Sequence, residues 1–435
     1  MSFQDIRRTR GRLSAKEARL LLLAFLLLAV LLALNISLAR VLPGGEQFFL
    51  RWSGARAYLI EGIEPYSTTV AQRVQIVAYG RHAFSGEYPF VLNDPFPIVL
   101  LYIPLVALRE WLVFLLPVLD RTLDFPFFRG LWMTLSEIAL VGTVHIFIRS
   151  LEWEPPRGLY LALMGTSLFG YYSLAALGSG TPAVVMVFLF FAALSALRVF
   201  SDELAGALLF LVAYQWEVSA LFFLFMAVFI VANRRWRALN GFLMSLVVLL
   251  AASFLAYPGW TLPYARGVLA DGYRSGSLTF GHLVSAWFPE AGFPIGTWAA
   301  WLMGIALVFE WFGAVNAPYR RIAWTACLSL AVTPLMGFAI FPSNHVVLVP
   351  PAILITMLVW ERWTRRRAWL IPLFLSCVFL VPFWLYYRVI TGAPLIYSQL
   401  LAVLPSFTAI LGLYWMRWWA FRSPRTWLDQ IEDRK

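Results

Sequence analysis

Charged side chains are scarce in this chain. They make up 13% of its 435 residues, whereas hydrophobic residues make up 61%. A soluble domain is about one quarter charged, and no single water-soluble core could hide this much apolar surface. The composition therefore predicts an integral membrane protein.

Cysteine and histidine are scarce as well. The two cysteines, Cys327 and Cys377, lie inside apolar segments, and the chain has four histidines. The cysteines give no evidence of a disulfide framework, and no cluster of His, Asp and Glu shows metal-ligand spacing. The sequence also lacks a phosphate-cradling glycine-rich loop and a nucleophile elbow. No metal site is predicted, and whether the protein needs a divalent metal stays open.

The positive charge is distributed in small clusters. The net charge is +11, and the basic residues occupy short loops between apolar runs. This pattern is typical of cytoplasmic anchoring loops rather than of a nucleic-acid-binding surface. We therefore expect membrane lipids, and not nucleic acid, as partners.

Apolar runs that cross about 30 Å of hydrocarbon need about 20 residues, and the chain contains about twelve of them. The sequence thus predicts an all-α polytopic membrane protein of about 12 transmembrane helices, with one domain over residues 1–435. The predicted spans are 18–39, 97–118, 128–149, 158–176, 182–200, 206–232, 238–257, 296–315, 322–341, 345–360, 368–388 and 397–416.

Basic clusters orient these spans. If the arginine-rich N-terminus, residues 1–17, is cytoplasmic, twelve spans also place the tail, 417–435, in the cytoplasm. The basic turns near 234–237, 320–321 and 362–367 then obey the positive-inside rule. Two long loops, 40–96 and 258–295, and a short turn, 341–347, are predicted to be extracytoplasmic.

The first long loop begins with a turn at Pro43-Gly44-Gly45, after which the sequence predicts a helix from Glu46 to a C-terminal Gly62. Apolar residues recur on it at helical spacing, and the arginines fall largely on another face. We expect an amphipathic helix on the membrane surface, with its aromatic side chains in the headgroup zone. The apolar positions are Phe48, Phe49, Trp52, Ala55 and Leu59.

Glu46 and Arg51 indicate a possible chemistry for this helix. The helix dipole favours an ionised carboxylate in the first turn, and Arg51, one turn on, could hold a phosphate together with the helix N-terminus. A carboxylate beside a phosphate site suits one reaction at a lipid boundary. It could deprotonate an acceptor hydroxyl while a sugar leaves a lipid phosphate.

The same stretch resembles a known family. Its pattern G-x-x-F, then A-R-A-x-L-x-x-G-x-x-P-Y, resembles the GT-C glycosyltransferases. It is most similar to the polyprenol-phosphate-mannose-dependent alpha-mannosyltransferase-like enzymes of glycosyltransferase family 87. Ser343-Asn344-His345 resembles the short outer histidine motif of that family. The matching residues of the first loop are Ala55-Arg56-Ala57, Leu59, Gly62 and Pro65-Tyr66.

The resemblance implies a GT-C-like helical bundle in a bacterial plasma membrane, with its active site in an outward-facing cavity. Such an enzyme moves a hexose, with mannose as the first guess, from a polyprenyl-phosphate sugar donor to a hydroxyl of a lipid or extracytoplasmic glycan. A carboxylate in the first loop would act as base, and the anomeric configuration would invert.

One departure from the family pattern concerns this base. The family places an aspartate directly before the first phenylalanine, where this chain has Gln47, and the acid Glu46 lies one residue earlier. One residue is a rotation of about 100° on a helix. Glu46 could reach the site from there, Asp94 in its turn before Pro95 could replace it, or the protein could be inactive.

Other residues are expected to complete the site. Arg51, Arg56 and His345 would bind the donor phosphate, and Asn344 would orient His345 or a sugar hydroxyl. Simpler roles stay open, because interfacial arginines also bind headgroups, Trp52 and Tyr66 could be interfacial aromatics, and His345 could be structural. The residues expected to line the substrate cavity are Gln47, Trp52, Tyr66, Asn93 and Glu217.

Two rival functions stay open beside the glycosyltransferase. A transporter or flippase for lipid or lipid-linked sugar would show charges at the membrane midplane, internal symmetry and broken helices. A non-catalytic relative that binds lipid-linked sugar is the other, and Gln47 in the aspartate position favours it.

Overall fold

The computed structural model describes residues 15–84, 87–274, 279–338 and 340–421. The basic residues Arg7, Arg8, Arg10, Arg12, Arg422 and Arg425, used above to orient the chain, lie outside these ranges. Within them, all regular secondary structure is helical.

Nineteen helices follow one another in the described residues, apart from short 3₁₀ and π segments. They are α1 (Ala15–Val41), α2 (Glu46–Arg56), α3 (Thr68–Tyr79), α4 (Phe96–Leu115), α5 (Phe125–Ser150), α6 (Arg157–Phe169), α7 (Tyr171–Ser179), α8 (Ala183–Arg198), α9 (Asp202–Val212), α10 (Trp216–Ala232), α11 (Trp236–Ala256), α12 (Thr261–Arg274), α13 (Phe280–Trp287), α14 (Gly292–Ala314), α15 (Tyr319–Val332), α16 (Val349–Arg362), α17 (Arg367–Ile390), α18 (Ile396–Trp415) and α19 (Arg417–Ala420).

The predicted number of about twelve spans is not confirmed by the described residues. By length and composition, eight helices of the described chain could cross a membrane, or nine if the α6–α7 pair, bent by 44°, counts as one. Of the predicted segments, 158–176 is that bent pair and 182–200 is the 16-residue α8. Segment 206–232 is divided between α9 and α10, and 322–341 keeps its α-helix only to Val332. Hydropathy detects apolar runs but not these breaks, because one or two polar residues at a break change the average over a span-length window very little.

Contacts between the termini of neighbouring helices define two ends of the bundle. At one, the cavity end, the Gly45 N–H donates to the Gly178 carbonyl at 2.8 Å, and Asn344 contacts both Thr181 and Glu217. At the other, the opposite end, Arg235 donates to Leu197 O and Asp202, Arg198 contacts Ser150 and the Tyr319 ring, and Arg320 pairs with Glu361. Helices α9 and α10 therefore each connect the two ends.

Helix α4 is long and apolar but stays beside α2. The Phe96 ring lies 5.0 Å from that of Tyr58, and Arg56 Nε lies 3.8 Å from Glu110 Oε1. Asp124, just before α5, is 3.9 Å from Arg40 at the end of α1. The predicted span 97–118 therefore begins and ends near the first loop, which explains why it carries Arg109 and Glu110.

The packed centre lies around α8, α10, α15 and α16. Phe190, Phe222, Phe225, Trp324 and Leu354 are fully buried there. By contrast, the spanning windows of α1, α11, α14 and α17 are between 6 and 22% buried, and their exposed side chains are mainly leucine, valine, phenylalanine and tryptophan. An apolar exterior of this kind matches a lipid surrounding.

Polar contacts attach the peripheral α1 to α5. Asn35 Nδ2 donates to Glu137 Oε2 at 2.8 Å and to Thr134 Oγ1 at 3.0 Å. One turn away, Gly130 lets the two backbones approach, since a Cβ there would be 2.7 Å from the backbone of Ile36. Small residues and interhelical hydrogen bonds are the usual means of helix association in lipid.

The turn between α1 and α2 depends on two glycines and one arginine. Gly44 and Gly45 have φ values of 116° and 84°, in the left-handed region that favours glycine. Arg129 of α5 donates to the carbonyls of Leu42, Pro43 and Gly178 at 2.7 to 3.0 Å. This one side chain thereby satisfies carbonyls at the C-terminal ends of both α1 and α7.

Helix α2 differs from the expected surface helix. Phe48 is fully buried and stacks on Phe125 and Trp132, and Trp52 packs between Phe125 and Phe128. These aromatic side chains contact protein rather than a headgroup zone, because the apolar face of α2 is covered by α4 and α5. A π turn continues the helix, and Gly62 ends it at φ 65° as predicted.

Replacement of Gly130 by alanine should weaken the α1–α5 contact, because the new Cβ overlaps the Ile36 backbone. We expect a lower thermal midpoint in detergent, equivalent to about 1–3 kcal/mol. Gly158→Ala is the matched control, since nothing lies within 4 Å of a Cβ there. An unchanged midpoint for Gly130→Ala would contradict this packing.

Candidate functional site

A polar cavity of about 360 Å³ lies at the cavity end of the bundle. Three interruptions of the α-helical backbone meet at it: 180–182 before α8, 213–215 before α10, and the described residues 333–338 and 340–348 between α15 and α16. Backbone without helical hydrogen bonds is tolerated at membrane depth only when protein or a water-filled cavity surrounds it. The sequence-predicted residues that line this polar cavity are Gln47, Arg51, Asn93, Asp94, Glu217 and Asn344.

A buried ion pair forms one wall of the polar cavity. Arg51 Nε lies 2.8 Å from Asp94 Oδ2, and Arg51 Nη2 donates to Asp94 Oδ1 at 3.2 Å. Both residues are 4% exposed. The remaining guanidinium nitrogen, Nη1, donates to the carbonyl and side-chain oxygens of Gln47 at 2.9 and 3.2 Å. A planar guanidinium that meets a carboxylate along one edge holds it in a defined orientation.

The surroundings of Arg51 favour its charged form. Burial works against the charge of Arg51, but the contributions of Asp94, Tyr102 and Tyr214 together exceed it and raise the pKa of Arg51 above its ordinary value. Asp94 precedes Pro95 at the N-terminal end of α4, where the helix dipole favours a negative charge. The Tyr66 hydroxyl donates to the Asp94 carbonyl at 3.0 Å and so ties the turn to the first loop.

A second carboxylate lies in the same cavity. Asn344 Nδ2 donates to Glu217 Oε2 at 3.1 Å, and Thr181 Oγ1 donates to Asn344 Oδ1 at 3.3 Å. These hydrogen bonds fix which end of the Asn344 amide points to each neighbour. Beside them, Gln215 Oε1 is buried without a hydrogen-bond partner among the described residues. A row of oriented donors and acceptors therefore lines the wall formed by the interrupted helices.

Aromatic side chains complete the lining of the polar cavity. Tyr88, Tyr214, Trp216, Tyr264 and Phe341 all line it. Aromatic faces with a few directed polar groups are the usual lining of a small-molecule site. Hydroxyl-rich ligands such as sugars combine the apolar ring face and the hydrogen-bonding edge that this lining matches.

Glu46 and Gln47 are placed on different sides of α2. Gln47 lines the polar cavity, whereas Glu46 does not and lies in the electrostatic field of Arg129. Burial raises the pKa of Glu46, although its backbone hydrogen bond and Arg129 partly offset this effect. The rotation of about 100° between neighbouring helical residues separates the two side chains.

Four other predicted site residues are also outside this lining: Arg56, Trp52, His345 and Tyr66. Tyr66 contacts the backbone of Asp94 instead. Arg56 lies beside Glu110, with a half-exposed side chain, and Trp52 belongs to the aromatic core around α5. His345 is 2% exposed, and its Nε2 lies 2.5 Å from the Ala402 carbonyl. His345 lines a separate apolar cavity of about 210 Å³, the histidine cavity, with Tyr171, Tyr172 and Pro382. The two neighbours Asn344 and His345 thus line different cavities.

Sequence reasoning did not select Thr181, Tyr214, Gln215 or Tyr264. Their signal is weak but present, since Gly-Thr-Pro at 180–182 and Tyr-Gln at 214–215 are polar interruptions of apolar runs. Among the described residues, no three His, Cys, Asp or Glu side chains lie close enough together to hold a metal ion. No protein-family model matches the chain, and the search of curated proteins finds no match.

Removal of one partner from the Arg51–Asp94 pair should strongly lower the stability of the protein. We expect Asp94→Ala to lower the free energy of unfolding by about 3–5 kcal/mol, because Arg51 is left buried and uncompensated. The double variant Arg51→Met/Asp94→Leu should recover most of this loss. Unfolding in detergent measures both, and a double variant no more stable than Asp94→Ala would argue against a coupled pair.

Glu46 should make stability depend on pH. Its folded pKa is raised, so the carboxyl destabilises the fold only where it is ionised, above its unfolded pKa of about 4.3. We expect Glu46→Gln to raise the thermal midpoint at pH 7.5 and to have no effect at pH 4. A midpoint that falls at pH 7.5 would show that Arg129 attraction exceeds the cost of burial.

Proposed function

We propose that this protein is a membrane glycosyltransferase whose active site is the polar cavity. It would transfer a hexose, with mannose as the first candidate, from a polyprenyl-phosphate donor to a hydroxyl of a lipid or glycan. The observation that carries the proposal is the buried Asp94 carboxylate. Arg51 holds it in a cavity that also contains Glu217 and six aromatic side chains, in an apolar helical bundle.

Asp94 is the proposed base. In a single inverting displacement, the acceptor oxygen bonds to the anomeric carbon, the bond from that carbon to the phosphate oxygen breaks, and the acceptor proton passes to Asp94. A general base must lie within hydrogen-bond reach of the proton that it takes. Asp94 lines the polar cavity and Glu46 does not, so of the two candidate acids predicted from the sequence we propose Asp94.

Arg51 would balance charge during this step. When Asp94 accepts the proton, its negative charge is neutralised, while the departing lipid phosphate gains one. A guanidinium beside both groups can shift its hydrogen bonds from the carboxylate to the phosphate. Its positive charge then has a negative partner throughout the transfer. Arg56 and His345 have no place in this scheme, because neither lines the polar cavity.

The hydrogen-bonded row of Glu217, Asn344 and Thr181 would position the sugar. Its members come from three separate interruptions of the helical backbone, so their relative placement depends on the whole bundle. Side chains fixed by one another lose little freedom when a ligand binds, and such positioning lowers the barrier to transfer. Gln47 and Asn93 extend the same polar lining toward Asp94.

The distribution of arginines supports an extracytoplasmic site. Arg198, Arg235, Arg320, Arg362 and Arg417 all belong to the opposite end of the bundle. Under the positive-inside rule that end would face the cytoplasm, and the polar cavity would face away from it. The donor would then be a lipid-linked sugar on the outer side of a plasma membrane, with both termini of the chain in the cytoplasm.

A transporter of lipid-linked sugar is the second candidate. The interruptions at 180–182 and 213–215 are of the kind from which transporters build binding sites. A non-catalytic binding protein would use the same lining. Neither alternative requires a carboxylate placed to accept a proton, which distinguishes them from a transferase.

Transfer of radiolabel from a polyprenyl-phosphate mannose in proteoliposomes tests the proposal. We expect Asp94→Asn to lower the rate by about 10²–10⁴-fold, the range of a general base, while donor binding persists. Glu217→Gln should mainly raise KM. Glu46→Gln is the matched control and should retain activity, since Glu46 does not line the cavity.

The alternatives predict different results in the same vesicles. Wild-type transfer by Asp94→Asn would refute Asp94 as the base, and loss of transfer in Glu46→Gln alone would return that role to Glu46. Movement of labelled lipid between leaflets without a new glycoside would identify a transporter. Donor binding without either would identify a binding protein.

A further inference from the structure

A long apolar groove runs along the surface between α6 and α17. Its volume is about 790 Å³, and its lining includes Leu159, Gly165, Ile371 and Phe379. The groove continues into the histidine cavity, because Thr166 and Leu375 line both. Together they follow α6, whose 13 residues span about 20 Å at 1.5 Å per residue. This length suits an extended hydrocarbon chain.

Particular residues make this surface concave. Helix α6 bends by 44° into α7 at Gly170, and α17 contains Pro372 and Pro382 in its interior. Interior prolines kink helices. Gly165 contributes no side chain, and nothing lies within 4 Å of a Cβ built there. The bend, the interior prolines and the missing side chain of Gly165 therefore produce a concave surface between α6 and α17.

One end of the groove is basic. Arg367 lines it, with its guanidinium 3.9 Å from the centre of the Trp360 ring and no ion pair to any described carboxylate. Arg157, Arg365 and Arg366 are exposed near the same end, as are the acids Glu152, which pairs with Arg198, and Glu154. This is the opposite end of the bundle, far from the polar cavity, since α16 begins beside Asn344 and ends at Arg362.

We propose that the groove binds an anionic diacyl phospholipid. Its phosphate would lie against Arg367, and one acyl chain would follow the groove between α6 and α17 toward the histidine cavity. Charge complementarity selects this occupant. A zwitterionic lipid such as phosphatidylcholine also presents a phosphate to Arg367, but its ammonium group would lie near the exposed Arg157, Arg365 and Arg366 and be repelled by them. Anionic lipids are concentrated in the cytoplasmic leaflet, the side to which the positive-inside rule assigns this end. The site is independent of the proposed chemistry, which takes place at the other end.

Photocrosslinking in vesicles of phosphatidylcholine tests the proposal with full-length protein. Phosphatidylglycerol with a photoactivatable acyl chain should label peptides of 156–169 and 367–380 more strongly than the matched phosphatidylcholine probe. Arg367→Gln should reduce phosphatidylglycerol labelling about fivefold, which corresponds to about 1 kcal/mol for one basic residue near an anionic lipid. Arg237→Gln, an exposed arginine elsewhere at this end, is the charge control and should have no effect on these peptides.

Two glycines of α6 provide a matched pair of variants. Both Gly158 and Gly165 have open space around a built Cβ, but only Gly165 lines the groove. Gly165→Leu should fill the groove and abolish labelling of both peptides, whereas Gly158→Leu should leave it unchanged. Neither glycine has another atom within 4 Å of a built Cβ. Equal thermal midpoints of the two variants in detergent would show that a difference in labelling does not come from a folding defect.

Three outcomes would overturn the proposal. Equal labelling by both probes would identify a groove for neutral lipid, and undiminished labelling in Gly165→Leu would place the lipid elsewhere. Stronger competition by polyprenyl phosphate than by unlabelled phosphatidylglycerol would assign the groove to the lipid-linked donor. Since none of these readouts uses sugar transfer, failure here leaves the proposed function untouched.

Discussion

The buried pair of Arg51 and Asp94 is the interaction on which the cavity end depends. Two charges removed from water cost several kcal/mol each unless they meet in good geometry. Here the guanidinium also holds Gln47, and the backbone of Asp94 is held by Tyr66. One pair thus joins α2 to the turn before α4 and directs a carboxylate into the cavity. Proposed catalysis and local stability rest on the same two side chains.

The polar cavity exists because the helices around it are interrupted. A continuous helix satisfies its own backbone and presents only side chains, whereas an interrupted one must find other partners for its carbonyls and N–H groups. Thr181, Gln215 and Asn344 lie at such interruptions, and their side chains contact one another or line the space. The feature that prevents α9 and α10 from forming one long span is therefore also the one that places Glu217.

The two ends of the bundle carry different chemistry. Acids, amides and tyrosines meet at the cavity end, while arginines that stack on tryptophan, tyrosine and phenylalanine rings dominate the opposite end. Arg198 also pairs with Glu152, whereas Arg362 and Arg367 have cation–π contacts and no ion pair to a described carboxylate. Such arginines stay available to lipid phosphate, and Arg367 beside the groove is an example. The lipid-exposed surface of the bundle thus also contains a groove that we propose binds a lipid.

The fold class, the local structure and the composition of the cavity could be predicted from the sequence to different extents. Composition and apolar runs were sufficient for the membrane class and the helical fold, because lipid permits few alternatives to helices. Local chemistry was sufficient for Gly62 as a helix end and for grouping Arg51, Asp94 and Asn344 as site candidates. The periodicity of α2 identified its apolar face but could not tell whether lipid or another helix covers it. Asn344 and His345 are adjacent in the chain, yet only the packing of α7, α10 and α18 around them decides that one lines the polar cavity and the other an apolar one. The sequence determined which side chains are available for chemistry, and the tertiary structure decided which of them meet, since contact depends on how distant helices pack and where they break.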